Sequence, residues 1–206
     1  MDEQISQTYT PSEEFRIRDG VFKTSIEGIL YIERPIHSDE RGFFSEVVKI
    51  PELEQMIGQV FVVKQVNHAR SEQNVVRGIH AEGWNKYVSV ITGLAFSAVV
   101  DVRPESATFG MKEYFLLGEG DKGLKGCLFL PSGVGNSICV LEGPVDYLYL
   151  VDRLYADRDK SGYLAISLFD PDLNIPWPVS KDQMVISDRD KNSITLRERS
   201  PEKFTK

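Results

Sequence analysis

Short apolar runs rich in β-branched and aromatic residues follow one another along most of the chain. From Gln59 onward they read VFVVKQVNHA, KYVSVITG, LAFSAVVDVR, KEYFLLGEG, GCLFLPSG, NSICVLEG and VDYLYLVDRLY. Turn residues separate these runs at a spacing of roughly 8 to 14 residues. Such a rhythm is typical of a β-sandwich or small barrel, whereas a parallel α/β sheet would show strands alternating with helices. The sequence therefore predicts an all-β fold with a few short helices.

The segment before Gln59 adds strands and one helix. Residues 21–34, VFKTSIEGILYIER, predict a pair of strands around Gly28, and FFSEVVKI predicts another strand after the turn HSDERG. PELEQMIG predicts a short helix, because Pro51 stands at its first position and Gly58 follows its end.

The same pattern predicts a single domain. Residues 1–20 show no periodicity and are expected to form a loose arm, residues 21–180 the β domain, and residues 181–206 a charged helix and tail. No internal repeat or linker interrupts the chain, so one core is the simplest interpretation for 206 residues.

Composition and charge narrow the range of partners. A net charge of −7 and a pI near 5.1, with no basic tract, argue against nucleic acid. No apolar stretch is long enough for a membrane span, and the acidic N-terminus is unlike a signal peptide. Cys127 and Cys139 lie in strand-like runs without CxxC spacing, which favours buried thiols in a cytoplasmic protein over a disulfide or a metal site.

Two amides stand where core residues are expected. In FVVKQVNHA, period-two alternation places Gln65 and Asn67 on the same face as Phe61 and Val63. One interpretation is a barrel mouth where polar groups meet water. The other is a ligand cavity, into which both amides would direct hydrogen bonds.

His80 lies near the middle of an otherwise apolar strand, RGIHAEGW. A structural histidine is one interpretation, but Arg77 and Lys86 bring positive charge that an apolar core would not tolerate unpaired. Ideal alternation places Arg77 and His80 on opposite faces. A bulge at Gly78 would bring them to the same face.

Two further segments carry groups that suit proton transfer. DYLYLV places Tyr147 and Tyr149 on one face of a later strand. Asp170, in LFDPDLNIPW, is a carboxylate in an apolar context that could orient a histidine ring. A metal site is the rival interpretation, but the first strand has one histidine rather than an HxH pair, and the turn PSGVGN ends in Asn136. Asparagine is a poor ligand for a transition metal, so no metal is expected.

Six motifs in order carry a resemblance to a known family. DERGFFSE, QVNHARS, VVRGIHAE, LPSGVGN, YLYLVDRLY and FDPDLNIPWP together resemble the dTDP-4-dehydrorhamnose 3,5-epimerase family, from about residue 26 to residue 190. The resemblance implies a cupin-type β jelly roll and a homodimer whose strands cross between subunits. It also implies no metal, no organic cofactor, and a nucleoside-diphosphate 4-keto-6-deoxy sugar as substrate.

The resemblance also implies residue roles. Epimerisation beside a ketone needs a base on one face of the sugar, an acid on the other face and stabilisation of the enolate oxygen. His80 would be the base, with Asp170 fixing its tautomer. Tyr149 would be the acid on the opposite face, and Lys86 would steady the enolate oxygen.

The nucleotide part of the substrate is assigned in the same way. Arg41 and Arg77 resemble diphosphate-binding arginines, and Phe44 resembles the aromatic residue that stacks on the base. Without the resemblance, Arg41 reads as a solvated turn residue and Phe44 as core packing. The remaining candidates for polar contacts with the substrate are Glu46, Gln65, Asn67 and Asn136, the last standing where many members carry histidine. Part of this site is expected to come from the partner subunit.

Several functions remain open at this point. The leading hypothesis is inversion of carbons 3 and 5 of dTDP-4-dehydro-6-deoxyglucose to give dTDP-4-dehydrorhamnose. An epimerase that inverts only carbon 3 or only carbon 5 is the nearest alternative. A 3,4-ketoisomerase is expected to show paired histidines in one strand, and only His80 stands there. A non-catalytic nucleotide-sugar-binding cupin would bind nucleotide without exchanging substrate hydrogens.

Overall fold

The structure, a computed structural model, describes residues 8–157 and 165–205. Residues 1–7 of the predicted arm and 158–164 of the predicted domain lie outside the described residues. The described strands are β1 Arg16–Arg18, β2 Val21–Lys23, β3 Leu30–Glu33, β4 Ile36–Asp39, β5 Gly42–Ser45, β6 Gln65–Ser71, β7 Val75–His80, β8 Lys86–Asp101, β9 Lys112–Gly118, β10 Gly126–Leu130, β11 Val134–Val151 and β12 Val185–Ile186. The described α-helices are α1 Ile50–Ile57, α2 Asp188–Lys191 and α3 Leu196–Arg199, and 3₁₀ turns cover Glu13–Phe15, Tyr155–Asp157 and Pro201–Lys203.

Two long strands organise the main sheet, whose order is β1-β2-β3-β10-β8-β11-β7-β12. β8 pairs with β10 along its first half and with β9 along its second half. β11 pairs with β7 along its first half and with β6 along its second half. Each long strand therefore takes part in two differently oriented portions of the sheet, which lets the sheet curve around an interior. The hairpin β4–β5 forms a separate two-stranded sheet.

The long strands correct one prediction. KYVSVITG and LAFSAVVDVR form the single strand β8, and NSICVLEG and VDYLYL form the single strand β11. Gly93 has a φ of 74°, a value typical of turn residues, but it lies inside β8. At this point the pairing of β8 with β11 shifts in register. A Cβ atom on Gly93 would lie 2.6 Å from the carbonyl oxygen of Glu142, so glycine permits close approach of the two strands.

Helix α1 confirms its prediction. Pro51 lies in its first turn, and Gly58 ends it in the left-handed conformation with φ of 68°. The helix buries Leu53 against a cluster that includes Phe61, Tyr87 and Phe129. Tyr87 alternates along β8 with Lys86 and Val88, which line the cavity described below, so the helix packs on the opposite face of this strand.

The two ends of the described chain pack on the barrel. Tyr9, within the predicted arm, is buried, and its ring centroid lies 5.0 Å from that of Phe115. In the C-terminal segment, β12 pairs with β7, and Leu196 of α3 is buried in the core. The C-terminal segment thus contacts strand β7, which carries His80, through Val185, Ile186 and Leu196.

Candidate active site

A cavity of about 270 Å³ opens between β6, β7, β8 and β11. Its apolar wall includes Val88, Ile138 and Tyr147, which also belong to the main core cluster. Polar and charged side chains complete the lining: Gln65, Asn67, Arg77, His80, Glu82, Lys86, Asn136, Tyr149 and Arg189. An apolar wall with a few convergent polar groups is the usual form of a small-molecule site.

A bulge in β7 brings Arg77 and His80 to the same cavity. His80 pairs with Asn136 and Arg77 with Ile138, so two residues of β7 stand opposite one residue of β11. Gly78 lies inside this bulge with φ of 125°, and a Cβ atom there would lie 2.6 Å from Cβ of Ser137. The bulge that the sequence allowed is present, and it requires glycine.

His80 is held by Asp190, not by Asp170. Its Nε2 atom lies 2.7 Å from Oδ1 of Asp190, which is almost completely buried. Burial raises the pKa of the Asp190 carboxyl, but its hydrogen bond and charge interaction with His80 outweigh burial and lower that pKa overall. The charged carboxylate therefore accepts a hydrogen bond from the Nε2–H group of His80, and among the described residues no side chain or backbone group is hydrogen-bonded to Nδ1, the nitrogen left to react.

The prediction that Asp170 orients His80 is wrong. Both oxygens of Asp170 accept backbone N–H groups: Oδ1 those of Asp172 and Leu173, Oδ2 that of Leu196. Asp170 thus ties the loop after residue 170 to the first turn of α3. It stabilises the segment that carries Asp190 and does not contact the histidine.

Lys86 lies at the centre of a buried polar network. Its Nζ atom lies 2.6 Å from Oε2 of Glu82 and donates to Oδ1 of Asn136 at 2.8 Å and to the carbonyl oxygen of His80 at 2.9 Å. Burial raises the pKa of the Glu82 carboxyl, but the charges of Lys86 and His80 outweigh it, so that pKa lies below its ordinary value. Lys86 therefore brings a paired cation to the cavity wall beside the candidate base.

Two phenols share this wall. Nδ2 of Asn136 donates to the hydroxyl oxygen of Tyr147 at 3.1 Å, and the Tyr147 and Tyr149 ring centroids are 5.7 Å apart. Burial raises the pKa of both hydroxyls, with a further contribution to Tyr149 from the negative charge of Glu82. Both phenols accordingly keep their protons at neutral pH and can act as donors.

The two amides of β6 face the cavity, as the second interpretation of the sequence predicted. Along β6, Gln65, Asn67 and Ala69 turn inward, while the residues between them are exposed. Nε2 of Gln65 donates to Oδ1 of Asn67 at 2.6 Å, and Oε1 of Gln65 accepts the N–H of Tyr155 at 2.9 Å. Within residues 8–157 and 165–205, no group accepts a hydrogen bond from the Asn67 amide nitrogen, which is therefore available to a ligand.

Three predicted nucleotide contacts do not reach this cavity within the described chain. Arg41 and Phe44 belong to the hairpin β4–β5, where Arg41 pairs with Asp39 and the Phe44 side chain is largely exposed. Glu46 pairs with Lys49 at 2.8 Å. Core packing is thus not the role of Phe44. Within one chain, Arg41, Phe44 and Glu46 do not line the cavity that contains His80.

Sequence reasoning missed three charged residues at the site, Glu82, Arg189 and Asp190. Asp190 belongs to the segment taken as a tail, and no local pattern connects it with His80. Glu82 had a visible signal, because it lies two residues after His80 and four before Lys86. Asp190 is placed by α2, which begins at an N-cap where Ser187 accepts the N–H of Asp190.

Comparison with known proteins decides the family. The profile of the dTDP-4-dehydrorhamnose 3,5-epimerase family matches residues 23–198. The chain belongs to this family. It is 32% identical over 176 residues to the dTDP-4-dehydrorhamnose 3,5-epimerase of Shigella flexneri, covering 84% of this chain and 93% of that protein.

Solved structures of family members agree in fold. The epimerase of Legionella pneumophila, in complex with dTDP-4-keto-L-rhamnose, superposes with a TM-score of 0.79 at 30% identity, over 88% of this chain and 95% of that one. A 3'-monoepimerase of Streptomyces bikiniensis, in complex with dTDP-quinovose, gives 0.76 at 33% identity, over 86% and 89%. The cupin-type jelly roll and the assignment to the isomerases, both predicted from the sequence, are thereby confirmed.

The described residues offer neither a metal site built from acidic, histidine and cysteine side chains nor a membrane-spanning helix. In residues 8–157 and 165–205, no group of three or more His, Cys, Asp or Glu side chains lies together where it could hold a metal ion. Within the same residues, no helix has the length and apolar character needed to cross a bilayer. Cys127 and Cys139 are buried free thiols, as predicted.

Proposed function

We propose that the protein inverts carbons 3 and 5 of dTDP-4-dehydro-6-deoxyglucose, with His80 as the base and Tyr149 as the acid. Nδ1 of His80 takes the proton from a carbon beside the ketone, and the electron pair of that C–H bond forms an enolate. Tyr149 returns a proton to the opposite face, which inverts the carbon. The proximity of His80, Asp190 and Tyr149 to one cavity supports this assignment most directly.

Asp190 supplies the counter-charge for the base. As His80 becomes an imidazolium, the buried carboxylate at 2.7 Å stabilises the positive charge and holds the ring in one orientation. This is the role that sequence analysis gave to Asp170.

Lys86 supplies positive charge where the enolate forms. The negative charge that leaves the C–H bond collects on the oxygen of carbon 4, and a cation fixed at a buried wall stabilises it more strongly than a solvated cation would. The three contacts of Lys86 fix its position before substrate arrives.

The nucleotide site extends beyond one chain in this proposal. Arg77 lies in the cavity, with Nε donating to Oγ of Ser71 at 2.8 Å, and offers its guanidinium to the diphosphate, while Gln65 and Asn67 offer further polar contacts to the nucleotide part. Arg41, Phe44 and Glu46 serve the cavity of the partner in a homodimer with exchanged strands. The exposed Phe43, Phe44 and Ile36 on hairpin β4–β5 are apolar side chains that such an exchange would cover.

We also propose that the protein works in the cytoplasm. The two buried thiols support this, because cysteines remain reduced in that compartment.

The experiment that tests the function is incubation with dTDP-4-dehydro-6-deoxyglucose in deuterated water, followed by NMR. Deuterium at carbons 3 and 5 with inverted configuration is expected. Deuterium at carbon 3 alone would assign the activity of the Streptomyces monoepimerases instead. Binding of dTDP with no deuterium at either carbon would leave a nucleotide-sugar-binding protein and contradict the proposal.

A further inference from the structure

The ammonium group of Lys86 has no donor to spare in the structure. An ammonium carries three N–H donors. Three acceptors surround Nζ of Lys86: Oε2 of Glu82 at 2.6 Å, Oδ1 of Asn136 at 2.8 Å and the carbonyl oxygen of His80 at 2.9 Å. A direct hydrogen bond from Lys86 to the substrate would have to break one of these contacts. The cavity therefore needs another donor for the enolate oxygen.

Asn136 connects Lys86 to a donor that is free. Since Lys86 donates to Oδ1, the amide must direct Nδ2 away from the ammonium, and Nδ2 donates to the hydroxyl oxygen of Tyr147. That bond fills an acceptor position of the phenol, so the Tyr147 O–H must point elsewhere. Among the described residues, the Tyr147 hydroxyl donates to no acceptor, although its side chain is buried and lines the cavity.

We propose that Tyr147 donates its hydroxyl proton in a hydrogen bond to the oxygen on carbon 4 of the substrate. The chain of donors runs from Lys86 through Asn136 to Tyr147 and ends at this oxygen. Each bond polarises the next, so the charge of Lys86 strengthens the donor that contacts the enolate. This inference rests on the proposed function, because it needs an enolate to form in the cavity.

In this proposal, Tyr147 and Tyr149 have different roles in the reaction. Tyr149 transfers a proton to carbon and decides whether configuration changes. Tyr147 keeps its proton and only stabilises charge on oxygen. Glu82 and Asn136 are positioning residues, since they act through Lys86 and Tyr147.

The test compares Tyr147→Phe with Tyr149→Phe in deuterated water. For each variant, NMR measures the rate of deuterium incorporation and the fraction of exchanged substrate that is inverted. Tyr147→Phe is expected to slow incorporation about 10²-fold, as loss of one oxyanion donor does, with the inverted fraction unchanged. Tyr149→Phe is expected to lower the inverted fraction, because His80 can still return deuterium to the original face. Circular dichroism and dTDP affinity check that both variants are folded.

A double variant tests the path through Asn136. Asn136→Ala is expected to slow incorporation about tenfold in the wild-type background and to have little effect in the Tyr147→Phe background, because the two residues act on the same oxygen. The inference is overturned if Tyr147→Phe exchanges at the wild-type rate, if it changes the inverted fraction, or if the two effects are additive. Absence of exchange by the wild-type protein would instead contradict the proposed function.

Discussion

The Nε2 atom of His80 lies 2.7 Å from Oδ1 of Asp190, across 110 positions of sequence. His80 is the last residue of strand β7, and Asp190 belongs to the short helix α2. The C-terminal segment therefore supplies a side chain to the proposed reaction centre. Its packing, through β12 on β7 and Leu196 in the core, is needed to orient the candidate base.

Asp190→Asn is expected to slow epimerisation by about 10² to 10⁴-fold, because the imidazolium loses its buried counter-charge. Asp170→Asn is the matched control in the same C-terminal region. It weakens backbone bonds and is expected to lower the free energy of unfolding by about 1 to 3 kcal/mol, with nearly normal kcat in the folded fraction. Steady-state kinetics measures kcat, and urea unfolding measures the free energy of unfolding, for both variants. A larger loss of kcat in the Asp170 variant would contradict the assignment.

Gly78→Ala is expected to destabilise the protein by about 3 to 5 kcal/mol, since a Cβ atom meets β11 in a backbone conformation unfavourable to side chains. Gly110→Ala is the control, because Gly110 also has positive φ, 79°, but a Cβ atom there meets nothing within 4 Å. It should cost only about 1 to 2 kcal/mol. Equal losses in urea unfolding would show that the bulge in β7 is not constrained by Ser137.

Asp101 is expected to make the free energy of unfolding depend on pH in the acid range. Burial raises the pKa of its carboxyl, but hydrogen bonds from Arg103, Ser106 and Thr108 outweigh burial and lower that pKa to about 2. Because the folded-state value lies below the unfolded one, this stabilisation is complete above about pH 4 and is lost as the pH falls towards about 2. Asp101→Asn should therefore destabilise the protein by about 2 kcal/mol at pH 7. Urea unfolding measures the difference in free energy of unfolding between the wild type and this variant, and that difference should shrink as the pH falls from about 4 to about 2. A difference that does not change with pH would contradict this account.

Mixing of two inactive variants tests whether the nucleotide site is shared between subunits. His80→Asn removes the base, and the double variant Arg41→Ala/Phe44→Ala removes the proposed contacts to the partner's cavity. In a randomly mixed dimer, the site with intact His80 regains Arg41 and Phe44 from the other chain, so about a quarter of wild-type activity should return. No recovery after confirmed subunit exchange would place these residues in their own chain's site or outside the site.

The parts of the site that follow strand periodicity could be predicted from the sequence. Gln65 and Asn67 face the cavity because side chains alternate along β6, and His80 ends β7 just before Lys86 begins β8, the next strand along the chain. The partner of His80 could not be predicted in this way, because it depends on how a distant segment docks. Asp170 lies in a motif of the family and was the more visible carboxylate, but backbone N–H groups occupy its oxygens.

The strand boundaries show a similar limit. Gly93 reads as a turn in sequence, yet the chain continues through it as one strand because β11 approaches it closely. Whether a glycine reverses the chain or only bends it depends on the neighbouring strand, which local sequence does not specify.

The most direct test of the account is deuterium exchange by His80→Asn with dTDP-4-dehydro-6-deoxyglucose, beside the wild-type protein. Asparagine preserves a polar side chain of similar reach but cannot take a proton from carbon at neutral pH. The account predicts unchanged dTDP affinity and no deuterium at carbon 3 or carbon 5 over times in which the wild type exchanges completely. Exchange at either carbon close to the wild-type rate would show that another group is the base.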